Sequence, residues 1–394
     1  MTVSLKILKN VYGGDGLARL GDGRVTFVAG AWAGETVKAE IFEEKRQFVR
    51  ARLAEIVESS AERISGAPES AIPGCVYADI SLAGETAAKA GQIAEFLARA
   101  RLWDGPVETV RFGGTGLNYR NKVVYHFAFQ DGDWAIGYRQ EPLHRIVDVE
   151  RDPLAADAIN AKLPEIRRSV RALLTSGPVS VRKDTQRRET LTVRWSAKSG
   201  VNWWLGDAPP GLTLKETTCG CGFEVPAGGF YQINPEVGGE LVKTVAADVA
   251  ALGSGELYDL YCGVGVFGIC CRPQKLVGVE FLRSATDAAA RNAANAGVDA
   301  RFFHGRLDRN LSRLKLCGES TVIVDPPRGG MERSAAVALA RARVKRIFYV
   351  SCDPATLTRD LKVLSDAYEV ERVRWFNMFP RTARFETLVT LRPR

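Results

Sequence analysis

Three side chains stand where an apolar run meets a loop, and their types suit covalent chemistry. Cys352 follows "RIFYVS" and precedes Asp353-Pro354, Asp325 follows "TVIV" and precedes two prolines, and Glu386 follows "FPRTARF" and opens "TLVTL". A thiol nucleophile with a separate carboxylate base is a working pair for covalent catalysis. A cysteine at a strand end is more often a small buried hydrophobe. What sets Cys352 apart is its company, since ligands of parallel sheets sit beyond the carboxyl ends of the strands. Asp325, by the same placement, suits a cofactor or a substrate amide, with a structural cap as the plainer alternative.

A second group lies upstream. "LYDLYCGVGVFG" reads as a strand over 257–261 running into Gly263-x-Gly265 at the start of a helix. Glycines there let a ligand approach the backbone without meeting a Cβ. The next apolar strand, "LVGVE", ends in Glu280, where an acid can take both ribose hydroxyls of an adenosine. The pattern lacks the full dinucleotide fingerprint and has no P-loop Lys-Ser/Thr pair. An adenosine cofactor without a pyrophosphate is therefore expected, and S-adenosylmethionine fits.

The elements that must position these residues follow from texture along the chain. From 229 onward apolar strands alternate with helices, which indicates βαβ units and a mostly parallel sheet. Residues 61–228 are richer in antiparallel-looking strands such as "KVVYHFAF", "DWAIGYR", "VSVRKD", "TLTVRWS" and "VNWWLG", preceded by a helix expected at about 86–103. The first 60 residues alternate short strands with glycine turns, with Val25, Phe27 and Val28, then Val37, Ala39 and Ile41, marking apolar faces. A five-stranded barrel of the OB type is the natural expectation. The stretch 58–74, rich in Ser, Ala, Pro and Gly, reads as a linker or domain edge. The expected fold class is thus a multidomain α/β protein: an N-terminal OB-like barrel (1–60), a central β-rich domain (61–228) and a C-terminal Rossmann-like domain (229–394).

At 394 residues and a formal charge of +8 the chain is an ordinary globular protein with a leaning toward polyanions. No stretch approaches about 18 uninterrupted apolar residues and the start lacks an apolar leader, so a cytoplasmic protein without membrane association is expected. Eight cysteines without an export signal read as free thiols. No CxxC pair occurs, Cys219 and Cys221 form an isolated CxC, and His126, His144 and His304 are scattered, so no metal site is expected.

Taken together, these elements resemble the RNA 5-methyluridine methyltransferase family, in its ribosomal-RNA type with an N-terminal OB-like (TRAM) domain, over nearly the whole chain. "GFYQIN", with Phe230, Gln232 and Asn234, is similar to the family's Phe-x-Gln-x-Asn element, "DLYCGVG" to its cofactor loop, "VDPPRGG" to its DPPR motif, "YVSCDPATLTRDL" to its nucleophile motif and "FPRTARFET" to its closing motif. "NYRNKVVYHF" and "GYRQEPLHRIVDV" match the middle segment. The resemblance implies Cys352 as nucleophile and Glu386 as the base that removes the C5 proton. It also implies that Gln232, Tyr261, Glu280 and Asp325, with Gly263 and Gly265, line the methionine-cofactor and uracil sites. Attack by a thiolate at uracil C6 would make C5 nucleophilic enough to take a methyl group. Such a thiol calls for a lowered pKa, and a helix beginning near Pro354 is the expected source.

Several positions depart from the family pattern. Cys75 is kept, but Ser81, Gly84 and Asp152 stand where further iron-sulfur ligands are expected, so no cluster is expected here. Val266, Arg306, Asn377, Arg384 and Phe385 also differ, which bears on cofactor detail and target choice. RNA is the expected partner, ribosomal RNA ahead of transfer RNA, with the target base single-stranded or flipped out. The basic runs "EEKRQFVRARL", "VRKDTQRRETLTVRW" and "ARARVKR" are candidate phosphate contacts. A monomer is the default. Rival readings are a transfer-RNA methyltransferase, a nucleotide-dependent oxidoreductase and a catalytically silent RNA-binding protein; the last two leave Cys352, Asp325 and Glu386 without a joint purpose.

Overall fold

A computed structural model of the full chain describes residues 1–110, 114–140, 145–176, 189–253 and 255–394. The expected "VSVRKD" strand, His144 and much of the second basic run lie outside the described residues. Two compact units emerge, one made of Met1–Glu95 with Phe379–Arg384, the other of Phe96–Met378 with Phe385–Arg394.

The first unit holds six strands, β1 (Thr2–Lys6), β2 (Lys9–Asn10), β3 (Gly16–Arg19), β4 (Val25–Ala29), β5 (Thr36–Glu44) and β6 (Phe48–Glu58), in the order β1-β5-β6-β4-β3-β2. The sixth strand beyond the five expected is the two-residue β2. Period-two alternation puts Leu5, Ala18, Val28, Val37, Ala39, Val49 and Ala51 into one core. The opposite face carries charge in register, as in Arg52 to Glu40 at 2.9 Å and Lys38 to Glu55 at 2.8 Å. The stretch read as a linker is packed: Arg63 makes two bonds to the buried Glu35 carboxylate, at 2.6 and 2.9 Å, and Glu69 is buried in a short 3-10 turn, Pro68–Ala71. Helix α1 (Leu82–Arg99) starts four residues earlier than the expected 86 and ends by Arg99.

The second unit contains β7 (Val107–Val110), β8 (Lys122–Gln130), β9 (Asp133–Gln140), β10 (Arg145–Asp148), β11 (Thr190–Ser196), β12 (Gly200–Leu205), β13 (Thr213–Thr218), β14 (Cys221–Pro226), β15 (Glu256–Leu260), β16 (Lys275–Glu280), β17 (Ala300–His304), β18 (Thr321–Val324), β19 (Arg346–Ser351), β20 (Tyr368–Phe376) and β21 (Glu386–Pro393). Its helices are α2 (Asp157–Thr175), α3 (Pro235–Ala251), α4 (Val266–Cys270), α5 (Arg283–Asn295), α6 (Leu307–Asn310), α7 (Arg333–Ala342) and α8 (Pro354–Leu364). An eight-stranded sheet runs β17-β16-β15-β18-β19-β21-β20-β7, with β15 through β19 mutually parallel and β21 antiparallel to both neighbours. Its central strands read as unbroken apolar runs, as strands covered on both faces must. An antiparallel sheet, β10-β9-β8-β11-β12, has α2 against it, fixed by Arg167 donating twice to the Asp148 carboxylate at 2.8 and 2.6 Å. The expected fold class, with an OB-like β-rich start, an antiparallel middle and a Rossmann-like end, is the observed one.

Candidate active site

Five strand ends carry the residues singled out in the sequence. β15 turns at Tyr261 and passes through Gly263 and Gly265 into α4. Gly263 and Gly265 have φ of 55° and 86°, the left-handed region that glycine occupies without strain, and Tyr261 shares it at 64°. The turn is closed by Gly265 N–H donating to Cys262 O at 2.8 Å, and by Cys262 N–H donating to Val279 O at 3.0 Å. A Cβ built on Gly263 meets nothing within 4 Å, so the loop backbone faces open space that a ligand can enter. Glu280, ending β16, accepts from Gly263 N–H at 3.0 Å and from Leu282 N–H at 2.7 Å, which fixes its carboxylate beside that loop. This donor and acceptor set fits an adenosine bearing a charged sulfonium rather than a phosphate chain.

Asn292 on α5 holds the loop from behind. Its amide donates to Val264 O and to Glu224 O, both at 3.1 Å, and accepts from Glu224 N–H at 2.8 Å, tying the β13–β14 hairpin to the glycine turn. Beneath the turn Asp259 is fully buried, accepts from Gly268 N–H at 2.8 Å, and leaves Oδ1 without a partner in the structure. Burial, then the neighbouring Glu280, pushes its carboxyl up to about 7. The Tyr261 hydroxyl donates to Glu332, the N-cap residue of α7, and Arg306 lies 3.7 Å from the same carboxylate.

Gln232 sits in a loop whose backbone is pinned. Asn121 donates from its side chain to Gln232 O at 3.1 Å and from its backbone to Ile233 O at 2.9 Å, while Asn234 caps α3 by accepting from Val237 N–H. Gly238 is required here, because a Cβ on it would stand 2.8 Å from the Gln232 Cβ. Phe230, two residues earlier, is 65% exposed.

Cys352 and Glu386 face each other through the sheet. The last ladder pair of antiparallel β19 and β21 is Ser351–Thr387. One register step further stand Cys352 and Glu386, and Glu386 in turn pairs with Phe376 of β20. Asp325 follows β18 on the neighbouring strand, its N–H donating to Leu260 O at 3.3 Å. Their electrostatics are linked. Burial and then Asp325 raise the Glu386 carboxyl well above the usual range, with Arg328 opposing; burial and then Asp259 raise Asp325.

The thiol departs from expectation. α8 does begin at Pro354, but its free N–H groups at Ala355 and Thr356 are taken at 3.0 Å each by the side chain of the N-cap, Asp353. Burial, then Glu386 and Asp325, push Cys352 up to about 12, against a smaller opposing pull from Arg328. Desolvation beside carboxylates outweighs the helix end. Arg328 is the site residue that the sequence reading passed over, although it lay within the quoted "VDPPRGG". The loop after it is anchored to α8 by Arg359 donating to Gly329 O at 2.8 Å and by Asp360 accepting from Met331 N–H at 2.7 Å.

Asp152, where an iron-sulfur ligand was sought, is buried and accepts from Tyr125 and Tyr138 hydroxyls at 3.0 and 2.6 Å and from Leu154 N–H at 2.9 Å. Among the described residues no three His, Cys, Asp or Glu side chains are grouped to hold a metal ion. In the basic runs, Lys45 and Arg50 pair with Glu43, Arg346 pairs with Glu371, and Arg194 is buried against Glu216. No described helix is long and apolar enough to cross a membrane.

Comparison with known proteins bears on the fold and the family. The family profile described as tRNA (Uracil-5-)-methyltransferase matches residues 218–394, and the TRAM domain profile matches residues 1–54. The 23S rRNA (uracil(1939)-C(5))-methyltransferase RlmD of Pseudomonas putida is 28% identical over 95% of this chain and 90% of its own. An uncharacterized RNA methyltransferase of Thermosynechococcus vestitus is 27% identical over 99% of this chain and 98% of its own. The crystal structure of Pyrococcus abyssi tRNA (uracil-54, C5)-methyltransferase, in complex with S-adenosyl-L-homocysteine, superposes with a TM-score of 0.73 at 21% identity, covering 98% of this chain and all of that one. The chain thus joins a TRAM domain to a catalytic domain of the RNA (uracil-5-)-methyltransferase family, a class of S-adenosylmethionine-dependent enzymes.

Proposed function

We propose that this protein methylates C5 of a uridine in 23S ribosomal RNA, with Cys352 as nucleophile and Glu386 as base. The observation that carries the reading is the register of β19 and β21, which sets a thiol and a carboxylate opposite one another at the ligand edge of the sheet. S-adenosylmethionine supplies the methyl group, and Gln232, Tyr261, Gly263, Gly265, Glu280 and Asp325 are the residues we assign to holding it and the uracil. The Cys352 thiolate adds to C6, the ring electrons displaced to C5 take the methyl as its bond to the sulfonium breaks and the neutral thioether, S-adenosylhomocysteine, leaves, the base removes the C5 proton, and the re-formed double bond expels the thiolate. A raised proton affinity suits Glu386 to that removal. Asp325, held by burial toward its protonated form, suits a hydrogen bond to a uracil oxygen.

Ribosomal RNA is preferred over transfer RNA because the TRAM domain accompanies the catalytic domain here and relatives spanning nearly the whole chain are named for 23S rRNA. In this reading residues 1–60 contact RNA, 61–228 form the central domain, 229–394 carry catalysis, and the enzyme works as a cytoplasmic monomer. Incubation of the purified protein and S-adenosylmethionine with separated, unmodified ribosomal and transfer RNA tests it. Formation of 5-methyluridine in the ribosomal pool by wild type and not by Cys352→Ala is expected. Modification of transfer RNA alone overturns the target, and full activity of Cys352→Ala overturns the nucleophile.

A further inference from the structure

The proposed chemistry leaves one buried charged cluster without a task. In the first unit Glu85 and Lys89 meet on successive turns of α1, Nζ to Oε1 at 2.6 Å, both side chains wholly buried. Arg381 joins them, 7% exposed. Its backbone N–H donates to both Glu85 oxygens at 3.0 Å, its guanidinium donates to Ile80 O at 2.7 Å, and its Nε lies 3.1 Å from the buried Glu69 carboxylate. Lys89 also donates to Phe379 O at 3.1 Å, and Tyr77 N–H donates to Arg381 O at 3.0 Å. Arg381 is held at a φ of 68°, a left-handed conformation that a non-glycine residue keeps only where its surroundings impose it.

These bonds converge on residues 379–381 of the segment that joins β20 to β21. That segment ends at Phe385, four residues beyond Arg381, and Glu386 follows directly. Burying ions is costly, and apolar side chains of similar volume often serve stability as well. What ions add is one specified conformation of the backbone they hold.

We propose that Glu85, Lys89 and Arg381 are positioning residues for Glu386: by fixing the β20–β21 connection they set where the base enters β21. The inference rests on Glu386 being the base. None of the three touches a reacting atom. Addition of Cys352 and methyl transfer do not use the base, whereas C5 proton removal and thiol release do. Loosening the cluster therefore slows release more than methylation, and the covalent protein–RNA adduct bearing the methyl group accumulates.

The test uses the full-length protein, S-adenosylmethionine labelled in its methyl group, and protein-free 23S ribosomal RNA from cells lacking the gene. Adduct, trimmed by nuclease, is separated from released product on a denaturing gel for Glu85→Gln and Arg381→Lys, with Cys352→Ala and Glu386→Gln as references. For both cluster variants we expect release slowed by about tenfold or more, with total methyl incorporation in the first turnover near wild type. Arg381→Lys keeps the charge and the backbone bonds to Glu85, so it decides the matter if Glu85→Gln does not fold. A loss spread equally over methyl transfer and release, with the adduct fraction of wild type, overturns the positioning role. Adduct formation by Cys352→Ala, or none accumulating in Glu386→Gln, instead overturns the assignment of nucleophile and base on which it rests.

Discussion

Cys352 and Glu386 stand one register step beyond the Ser351–Thr387 pair, where burial and the Glu386 carboxyl both oppose ionisation of the thiol. The Glu386 carboxylate is the largest charge effect raising the thiol, and Asp325 is the largest raising Glu386. Three acidic groups at one buried edge hold protons between them, and Arg328 is the cation that offsets them. In the free protein the thiol is therefore held toward its protonated form.

The Cys352 thiol should therefore alkylate slowly at neutral pH. With its pKa at about 12, the rate of modification by iodoacetamide should rise with pH through pH 10 without levelling. Peptide mass spectrometry distinguishes this site from the other seven cysteines; a plateau near pH 8 would contradict the account.

Arg328 favours the ionised form of both Cys352 and Glu386. Arg328→Gln should slow Cys352 alkylation at alkaline pH, and Glu386→Gln should speed it by removing the opposing charge. Equal rates in all three proteins would show that the charges do not act on the thiol.

Asp259 gives a stability test with a definite sign. Its folded pKa of about 7 lies above the usual 3.8, so the folded protein holds a proton that the unfolded chain releases. The corresponding stability is present below about pH 4 and is lost as pH rises toward 7. Asp259→Asn can still accept from Gly268 N–H and carries no charge. Its melting temperature should match wild type near pH 4 and exceed it at pH 8; a variant less stable at pH 8 would contradict the assignment.

Two packing predictions concern the framework. Gly268→Ala would set a Cβ 2.6 Å from Leu276 and 2.9 Å from the Asp259 carboxylate, and should cost about 1–3 kcal/mol in denaturant unfolding. Asp353→Ala removes the cap that holds the start of α8, and should cost about 1 kcal/mol while lowering turnover through the adjacent Cys352.

Much of this was legible in the sequence because strand ends announce themselves. The apolar runs before Tyr261, Glu280, Asp325 and Cys352 stop at glycine, acid or proline, and a parallel sheet gathers such ends at one edge. The alternation of Val37 and Ala39 likewise marked a buried strand face. What stayed hidden depends on spacing through space rather than along the chain. The antiparallel register that sets Glu386 opposite Cys352 cannot be read from residues 34 positions apart. Nor can the sign of the thiol shift, since it required knowing that Asp353 occupies the helix end and that two carboxylates stand nearby. Pairing in the basic runs was hidden for the same reason: Arg50 and Arg52 meet glutamates of the adjoining strand, which a linear reading leaves unpaired.

The most direct measurement is the 5-methyluridine content of 23S ribosomal RNA from cells lacking the gene, complemented with wild type or with Cys352→Ala. The account predicts loss of a 5-methyluridine from that RNA, with transfer RNA unchanged and restoration by wild type only. Unchanged 5-methyluridine in the ribosomal RNA of the deletion strain would contradict it.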